Sequence, residues 1–450
     1  MAGKISPRLP AAVLGCALVA LNINTAWASG FFIREQSSTA QGNAFAGATA
    51  GAEDISYMFF NPAGLTYHED SEAMNVVSYI IPNSRAKGAE ATTDTGARIE
   101  GGTNSGDIGE DALVPALYAM WAATPELRFG LGINAPFGLV TDNEDDFVGR
   151  YHGTRSELET ININPTVAYR ALDWLSLGAG LQVQYVETQL KNAIDFGTIG
   201  QGVGGTPGSL ADDGAANLRG DDIAFGYNFG IMIDTWEGAR VGLAYRSEID
   251  HDIDGNVDFD LSAVGQTVSN LTGQFVSTGA NADFTSPDMA SIGIHQDIGE
   301  EWAVMAEMAW TDWSDFNELR IEFDNANQQD NVTVEEWDDT LFFAIGTTYK
   351  PKAVEGLSLR LGFAYDQTPI PDDTRTPRIP GNDRYWISIG AGYKPFDWAE
   401  LTLSYTHIFL QDGNVNLTIA DDPNNEFRGN LKASYEQHID IFTLSGRIIF

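Results

Sequence analysis

Apolar and polar residues alternate along most of the chain after residue 70. From Leu357 to Asp366, Leu, Phe and Tyr occupy every second position, and Ser, Arg, Gly, Ala and Asp lie between them. A period of two is typical of a β-strand with two different faces. We count roughly 14 such segments of about 10 residues, a length that suits a tilted strand crossing a membrane.

The connections between these predicted strands alternate between short and long. Short turns followed by long loops are typical of outer-membrane barrels, with the turns in the periplasm and the loops outside. The apolar faces also end in aromatic residues, and the opposite faces are rich in glycine. A soluble β-sandwich would alternate as well, but these features favour a lipid-facing band. The predicted fold is all-β: a transmembrane antiparallel β-barrel of about 14 strands.

Two segments before residue 71 differ from the predicted barrel, residues 71–450. Residues 1–28 have a basic start, a short apolar stretch and a small-residue site before Ser29, which predicts a secretory signal peptide. A lipoprotein signal ending at Cys16 is the alternative. Residues 29–70 are rich in Ser, Ala and Gly without strand alternation, so we expect an N-terminal hatch that plugs the lumen.

Composition excludes several classes of function. The chain carries 63 Asp and Glu residues against 25 Lys and Arg, a net charge of −38, so a nucleic-acid partner is not expected. The acidic residues concentrate in the predicted loops, as a solvated surface or as bridges through divalent cations to lipopolysaccharide. The chain has one Cys, its six His have no metal-ligand spacing, and Gly-x-Ser-x-Gly is absent. We therefore predict no enzyme, catalytic site, metal or cofactor.

Several segments together resemble the FadL family of outer-membrane long-chain fatty-acid and hydrocarbon transporters. They are the start Ser29-Gly30-Phe31, the motif Asn61-Pro62-Ala63, the run from Phe129 to Leu139, and the block from Val148 to Pro165. The resemblance implies a 14-stranded barrel plugged by the N-terminal segment. It also implies a hydrophobic groove in the external loops, an inner pocket, and a lateral exit at a kinked third strand. Phe31, Asn61, Pro62 and Ala63 are then the hatch residues.

The residues suggest where this route would lie. Pro136 cannot donate a ladder hydrogen bond, so Asn134, Ala135 and Pro136 predict a kink in a third strand at about 127–137, unless Pro136 simply begins a loop. Five apolar residues at helical spacing predict an amphipathic helix that forms a groove with the loop at 190–220, or simply packs against it. The predicted groove residues are Leu261, Val264, Val268, Leu271, Phe275, Ile194 and Phe196. Lys191 and Arg246 are the predicted partners of a fatty-acid carboxylate.

We therefore predict passive uptake of long-chain fatty acid or another hydrophobic small molecule across the outer membrane of a Gram-negative bacterium. Uptake of aromatic or alkane hydrocarbons is the alternative, and a general porin is a weaker one. The expected surroundings are outer-membrane lipid and lipopolysaccharide. The alternating C-terminal strand ending in Phe450 resembles the signal read by the barrel-insertion machinery. The family resemblance suggests a monomer.

Overall fold

The computed structural model describes residues 30–450, so the predicted signal peptide lies outside the described residues. The described residues contain 20 strand segments, and 18 of them form a closed antiparallel barrel of 14 strands. The segments are β1 Glu72–Thr92, β2 Ala112–Ala122, β3 Leu127–Asn134, β4 Gly138–Asp142, β5 Arg155–Leu172, β6 Leu175–Asp195, β7 Asp213–Trp236, β8 Ala239–Arg246, β9 Ile249–Asp260, β10 Thr278–Ser286, β11 Met289–Ile298, β12 Trp302–Thr311, β13 Glu318–Phe323, β14 Asn331–Val334, β15 Thr340–Tyr349, β16 Leu357–Asp366, β17 Arg384–Phe396, β18 Ala399–Leu410, β19 Gly413–Leu417 and β20 Asn430–Ile449.

Four wall strands are interrupted, which is why there are more segments than wall strands. The interrupted strands are β3 with β4, β8 with β9, β10 with β11, and β18 with β19. β13 and β14 form a separate hairpin in the connection between β12 and β15. The barrel closes where β1 pairs with β20, from Glu72 opposite Ile449 to Thr92 opposite Asn430.

The two faces of each wall strand have opposite chemistry, as the alternation predicts. In β16, Leu361 and Phe363 are exposed on the outside, whereas Arg360 and Ala364 are buried inside. A soluble protein buries its large apolar side chains, so an apolar exterior around the wall matches a barrel surrounded by lipid.

The segment 30–71 lies inside the barrel as short helical turns. Its helices are α1 Ser38–Gly42 and the 3₁₀ turns Ala48–Ala50, Ile55–Phe59 and Pro62–Tyr67. Ser37 caps α1 by accepting a hydrogen bond from the Ala40 amide, and Asp54 caps the second 3₁₀ turn in the same way. We call residues 30–71 the hatch.

The external connections contain the remaining helical turns. They are α2 Phe196–Ile199, α3 Ala263–Thr272, and the 3₁₀ turns Gln201–Val203, Leu210–Asp212 and Pro423–Asn425. Among the described residues, no helix combines the length and the apolar character needed to cross a membrane.

Glycines in the wall allow the hatch to touch the barrel backbone directly. At each of these positions a Cβ atom would come within 3.0 Å of a hatch atom. They are Gly130, Gly178, Gly230, Gly242, Gly293, Gly346, Gly362 and Gly390. At all of them except Gly130 and Gly230 the close atoms include hatch backbone, so glycine there allows the hatch to dock. At Gly130 they are the ends of the Leu65 and Met58 side chains, and at Gly230 they belong to the Asn61 side chain and the Pro62 ring.

Candidate functional site

The Asn61-Pro62-Ala63 motif connects the hatch to the wall. Asn61 caps the turn that follows, because its Oδ1 accepts from the Ala63 amide at 3.0 Å. Its Nδ2 donates to the carbonyl oxygens of Thr49 in the hatch, at 2.7 Å, and Ile231 in β7, at 3.1 Å. The motif therefore lies against β7 and its neighbours. The hatch reaches the third wall strand through Leu65 and Met58, whose side chains lie against Gly130.

The third wall strand is interrupted where the sequence predicted a kink. β3 ends at Asn134, Ala135 and Pro136 lie in the interruption, and the strand resumes as β4 at Gly138. Pro136 therefore does not begin an external loop, and the strand extends beyond the predicted end at 137. Residues 134–141 are all buried, so this part of the wall turns inward.

The first residues of the hatch fill this interruption. The Ile33 amide donates to the Pro136 carbonyl at 2.7 Å, and the Gly138 amide donates to the Phe31 carbonyl at 2.9 Å. The Gln36 side chain also donates to the Ala135 carbonyl, at 2.8 Å. These bonds replace the ladder that the wall lacks here, so the hatch itself closes the break.

An aromatic cluster surrounds Phe31. Its ring centroid lies 4.8 Å from that of Trp313 and 5.6 Å from that of Trp337. Phe137 from the wall lies 6.2 Å away, and Phe316 lies 6.1 Å away. Three of these rings come from the long external connection between β12 and β15, so an external loop reaches down to the hatch.

A small cavity lies between the hatch and the wall. It measures about 40 Å³. Its apolar lining includes Phe32, Phe45, Phe59 and Phe60, and its charged lining residues are Arg34, Arg246 and Glu307. Binding sites for small organic molecules measure roughly 300–1,000 Å³, so this cavity is closed to such a ligand in the structure.

Arg246, one of the two predicted carboxylate partners, lies at this cavity. It is buried, and its guanidinium donates to the Phe59 carbonyl at 2.8 Å and to the Gln182 side chain. It also lies 4.6 Å from the centre of the Phe59 ring. Arg246 thus holds the hatch in place through neutral groups, at the inner end of any route from outside.

A larger groove opens among the external loops. It measures about 390 Å³, within the range of small-molecule sites. Its apolar lining residues come from four connections and the strand ends beside them, and they include Ile194, Ile199, Phe259, Phe275, Phe323, Val332 and Phe427. The groove therefore offers an apolar surface that faces the outside.

Only some of the predicted groove residues line the groove. Ile194 and Phe275 line the groove, and the buried Phe196 packs edge-on against Phe275 at 5.0 Å. Val264 and Val268 lie against the loop backbone at Gly200, where a side chain would collide with both of them.

The predicted helix is shorter than its apolar pattern. α3 begins at Ala263 and ends at Thr272, so Leu261 and Phe275 lie outside it. Leu271 is on the helix, but it is 71% exposed and does not share the covered face. The predicted single buried face therefore holds for Val264 and Val268 only.

Beneath the groove lies a second small cavity, with two arginines that the sequence analysis did not identify. It measures about 30 Å³ and shares Tyr151, Phe323 and Arg428 with the groove. Arg378 donates to the Arg155 carbonyl at 3.0 Å and to Ser156 Oγ at 2.8 Å. We call this the inner cavity.

The inner cavity is electropositive. Arg428 donates to Thr333 Oγ1 at 3.1 Å and to the Val332 carbonyl at 2.8 Å, so its contacts, like those of Arg378, are to neutral oxygens. Burial, together with the neighbouring Arg428, lowers the pKa of Arg378 to about 10. Burial raises the pKa of the nearby Glu335 carboxyl to about 7, despite the two arginines. A bound anion would therefore find two desolvated cations beside a weak acid.

Lys191, the other predicted carboxylate partner, lies at the external end of β6. Its side chain is 40% exposed, and its ammonium lies 3.7 Å from the Asp145 carboxylate. It lines neither the groove nor the inner cavity. Two other lumen-facing arginines form ion pairs, Arg360 with Glu53 and Arg447 with Glu72.

Comparison with known proteins gives one consistent result. The profile of the family described as "Outer membrane protein transport protein (OMPP1/FadL/TodX)" matches residues 19–450. A long-chain fatty acid transport protein of Escherichia coli O6:H1 is 31% identical over 412 residues, which cover 86% of this chain and 89% of that protein. Outer membrane protein P1 of Haemophilus influenzae is 28% identical over 412 residues, which cover 85% of this chain and 86% of that protein.

Solved structures share the fold. A Pseudomonas aeruginosa FadL homologue superimposes with a TM-score of 0.85 at 22% identity, covering 94% of this chain and all of that one. The Ralstonia pickettii toluene transporter TbuX superimposes with a TM-score of 0.65 at 17% identity, covering 92% and 99%. The family is described as one of transport proteins, and the proteins compared include both a fatty-acid and a toluene transporter.

Proposed function

Because the chain belongs to the FadL/TodX family of outer-membrane transport proteins, we propose that it takes up long-chain fatty acids by passive diffusion. The observation that carries this proposal is the apolar external groove, which shares part of its lining with a cavity that contains the buried Arg378 and the half-buried Arg428. A fatty acid has the same two parts, an acyl chain and a carboxylate.

The groove supplies the capture step. Burying one methylene group contributes roughly 0.8 kcal/mol, so an acyl chain gains several kcal/mol in an apolar groove without any energy source. The groove has room for part of a long chain, and its phenylalanines tolerate a flexible ligand. Capture at the outer surface is therefore favourable before any movement of the hatch.

The two arginines supply the orienting step. A carboxylate that enters the inner cavity can accept charge-assisted hydrogen bonds from Arg378 and Arg428 in place of neutral oxygens. Hydrogen bonds to charged groups contribute about 1.5–3 kcal/mol each, and a carboxylate can accept two of them from one guanidinium. Arg378 and Arg428 replace Lys191 and Arg246 as our proposed carboxylate partners.

The break in the third strand supplies the exit. Phe31 and Ile33 close it with two backbone hydrogen bonds, so displacement of this short segment opens the wall between β2 and β4. The interrupted ladder means that no continuous run of wall hydrogen bonds has to be broken. The ligand would then leave sideways into the membrane at Asn134, Ala135 and Pro136.

Uptake of radiolabelled oleate tests the proposal, in cells that lack their own transporter and express this protein. We expect Arg428→Gln to lower oleate affinity by at least tenfold. Arg320→Gln should leave it unchanged, because Arg320 is exposed and already paired with Glu318 and Asp330. Equal oleate uptake with and without the protein would contradict the proposal.

Uptake of aromatic hydrocarbons is the second candidate function. The four phenylalanines that line the cavity beside the hatch favour it, because aromatic rings pack well on one another. A neutral hydrocarbon has no carboxylate, so its uptake should not depend on Arg428. Toluene uptake that survives Arg428→Gln, without oleate uptake, would favour this candidate. Faster entry of a small sugar alone would favour a porin.

A further inference from the structure

One external segment contacts the groove, the inner cavity and the hatch. Residues 313–337, which contain β13 and β14, are called here the inner hairpin. At its tip, Phe323 and Val332 line the groove. Along its inward face, Leu319 and Ile321 line the inner cavity. At its base, Trp313, Phe316 and Trp337 surround Phe31 of the hatch.

The base of the hairpin holds the hatch tightly. Gly30 adopts a φ of +59, and a Cβ there would lie 2.7 Å from the Trp313 ring and 2.8 Å from the Trp337 ring. The two indole rings lie 5.1 Å apart, and Phe316 lies 4.9 Å from Trp337. The start of the hatch therefore cannot move away from the wall unless this aromatic cluster rearranges.

The hairpin is built to transmit a displacement. β13 pairs with β14 from Glu318 opposite Val334 to Ile321 opposite Asn331. At the base, the Glu335 and Glu336 amides both donate to the Asn317 carbonyl at 2.9 Å. The ladder and these two bonds tie the strands to each other, so a displacement of one strand is shared by its partner. A shift at the tip therefore reaches the base.

The hairpin joins the barrel through a short stretch of strand pairing and through packing of Ile321 against Leu218 and Val257. Its pairing with the wall consists of two residue pairs, Ala280 with Phe323 and Asn281 with Glu322. The inner cavity measures about 30 Å³, so a ligand that enters it must displace part of its lining. The hairpin is the part of that lining that the ladder of the wall holds by two residue pairs only.

We propose that the inner hairpin couples ligand entry into the inner cavity to release of Phe31, with Trp313 and Trp337 as the positioning residues. This inference rests on the proposed function and adds to it the element that connects the groove to the hatch. A ligand displaces Leu319 and Ile321, and the paired strands transmit this displacement to the base of the hairpin. The aromatic cluster then loses its contacts with Phe31. The break in the third strand is then free to open.

A cysteine at Ala135 reports on hatch release, because Ala135 is 3% exposed and lies in the break. In the otherwise unaltered protein, oleate should raise the rate of maleimide labelling at this cysteine at least tenfold. In Trp337→Ala the rate should be high without oleate and should not respond to it. Trp310→Ala is the matched control, because Trp310 hydrogen-bonds Asp339 outside the cluster. It should behave like the parent.

A reversible disulfide tests the hairpin movement itself. Asn281→Cys with Glu322→Cys places two thiols on exposed, directly opposed positions of β10 and β13. When oxidised, this variant should still bind oleate in the groove, but the labelling response and uptake should fall at least tenfold and return on reduction. Asn83→Cys with His438→Cys, a wall pair between β1 and β20, should show no such loss.

The outcomes separate the two proposals. If the parent binds no oleate, the proposed function fails and this inference fails with it. If the parent binds and takes up oleate, but Trp337→Ala and the oxidised disulfide variant respond as the parent does, the inference alone is overturned.

Discussion

A methyl group at Gly362 is the sharpest test of whether hatch docking controls permeability. The Cβ of Gly362→Ala would lie 2.0 Å from the Asn43 carbonyl carbon and oxygen. Carbon atoms in contact lie about 3.5–4.0 Å apart, so the hatch backbone must shift by roughly 1.5–2 Å at Asn43. Both clashing atoms belong to the backbone, so a side-chain rotation cannot relieve the contact.

The free-energy cost falls on the docked hatch. Overpacking a tight contact costs about 1–3 kcal/mol. If about 2 kcal/mol of this is lost from docking, the open population rises roughly 30-fold, since each 1.4 kcal/mol is a factor of ten. The wall should keep its stability, because Gly362 stays extended and paired with Gly346 and Ser388.

Dye leakage from proteoliposomes and thermal unfolding of the barrel separate these two effects. We expect Gly362→Ala to raise leakage about 30-fold without ligand and to leave the unfolding temperature of the barrel nearly unchanged. Gly446→Ala is the control, since a Cβ there meets only side-chain atoms, at 3.3 Å and beyond. Equal leakage from the two variants would refute the idea that hatch docking sets permeability.

Three further predictions follow from the site. Asn61→Ala removes two hydrogen bonds to backbone carbonyls and leaves buried groups unpaired, so it should destabilise the docked hatch by about 1–3 kcal/mol, measured as increased leakage. The pKa of Glu335 is raised from 4.5 to about 7, so its protonated form favours the folded loop. The local stability of the loop, measured by hydrogen exchange, should therefore fall as the pH rises from about 4.5 to 7. Glu335→Gln should remove this pH dependence. Arg246→Gln should change oleate affinity by less than threefold in a titration, because Arg246 lies beyond the inner cavity; a tenfold loss would contradict this.

The sequence predicts the wall well because lipid imposes a simple rule on it. Each outward position must be apolar, so strands such as β16 show their period of two directly. The hatch can be recognised because it lacks this alternation. Residues 30–71 lie inside the barrel against glycines of the wall, so they have no lipid-facing side. Pro136 and Pro287 both lie in breaks of wall strands, where the missing proline N–H costs no ladder bond. Pro82, Pro115 and Pro165 lie within paired strands, so a proline alone does not locate a break.

The loops are less predictable because distant segments decide their structure. Arg378 contacts the chain at Arg155 and Ser156, more than two hundred residues away, so no local pattern reveals it. Its only signal is a basic residue in a strongly acidic exterior. Gly273 is the sequence signal for the end of α3, because glycine commonly ends a helix. It adopts a φ of +74 and stops the helix before Phe275.

Chain length should control uptake, because the resting structure admits a ligand only as far as the groove. The groove measures about 390 Å³, whereas the inner cavity measures about 30 Å³ and the one beside the hatch about 40 Å³. A passive transporter must draw the free energy of opening from the ligand itself, and roughly 0.8 kcal/mol per methylene corresponds to about a fourfold gain in occupancy. Uptake of a saturated fatty-acid series at equal, low concentration should therefore rise about fourfold per methylene until the groove is filled, and then level off. Equal uptake of all saturated fatty acids between about 8 and 18 carbons would show that acyl-chain burial does not drive opening.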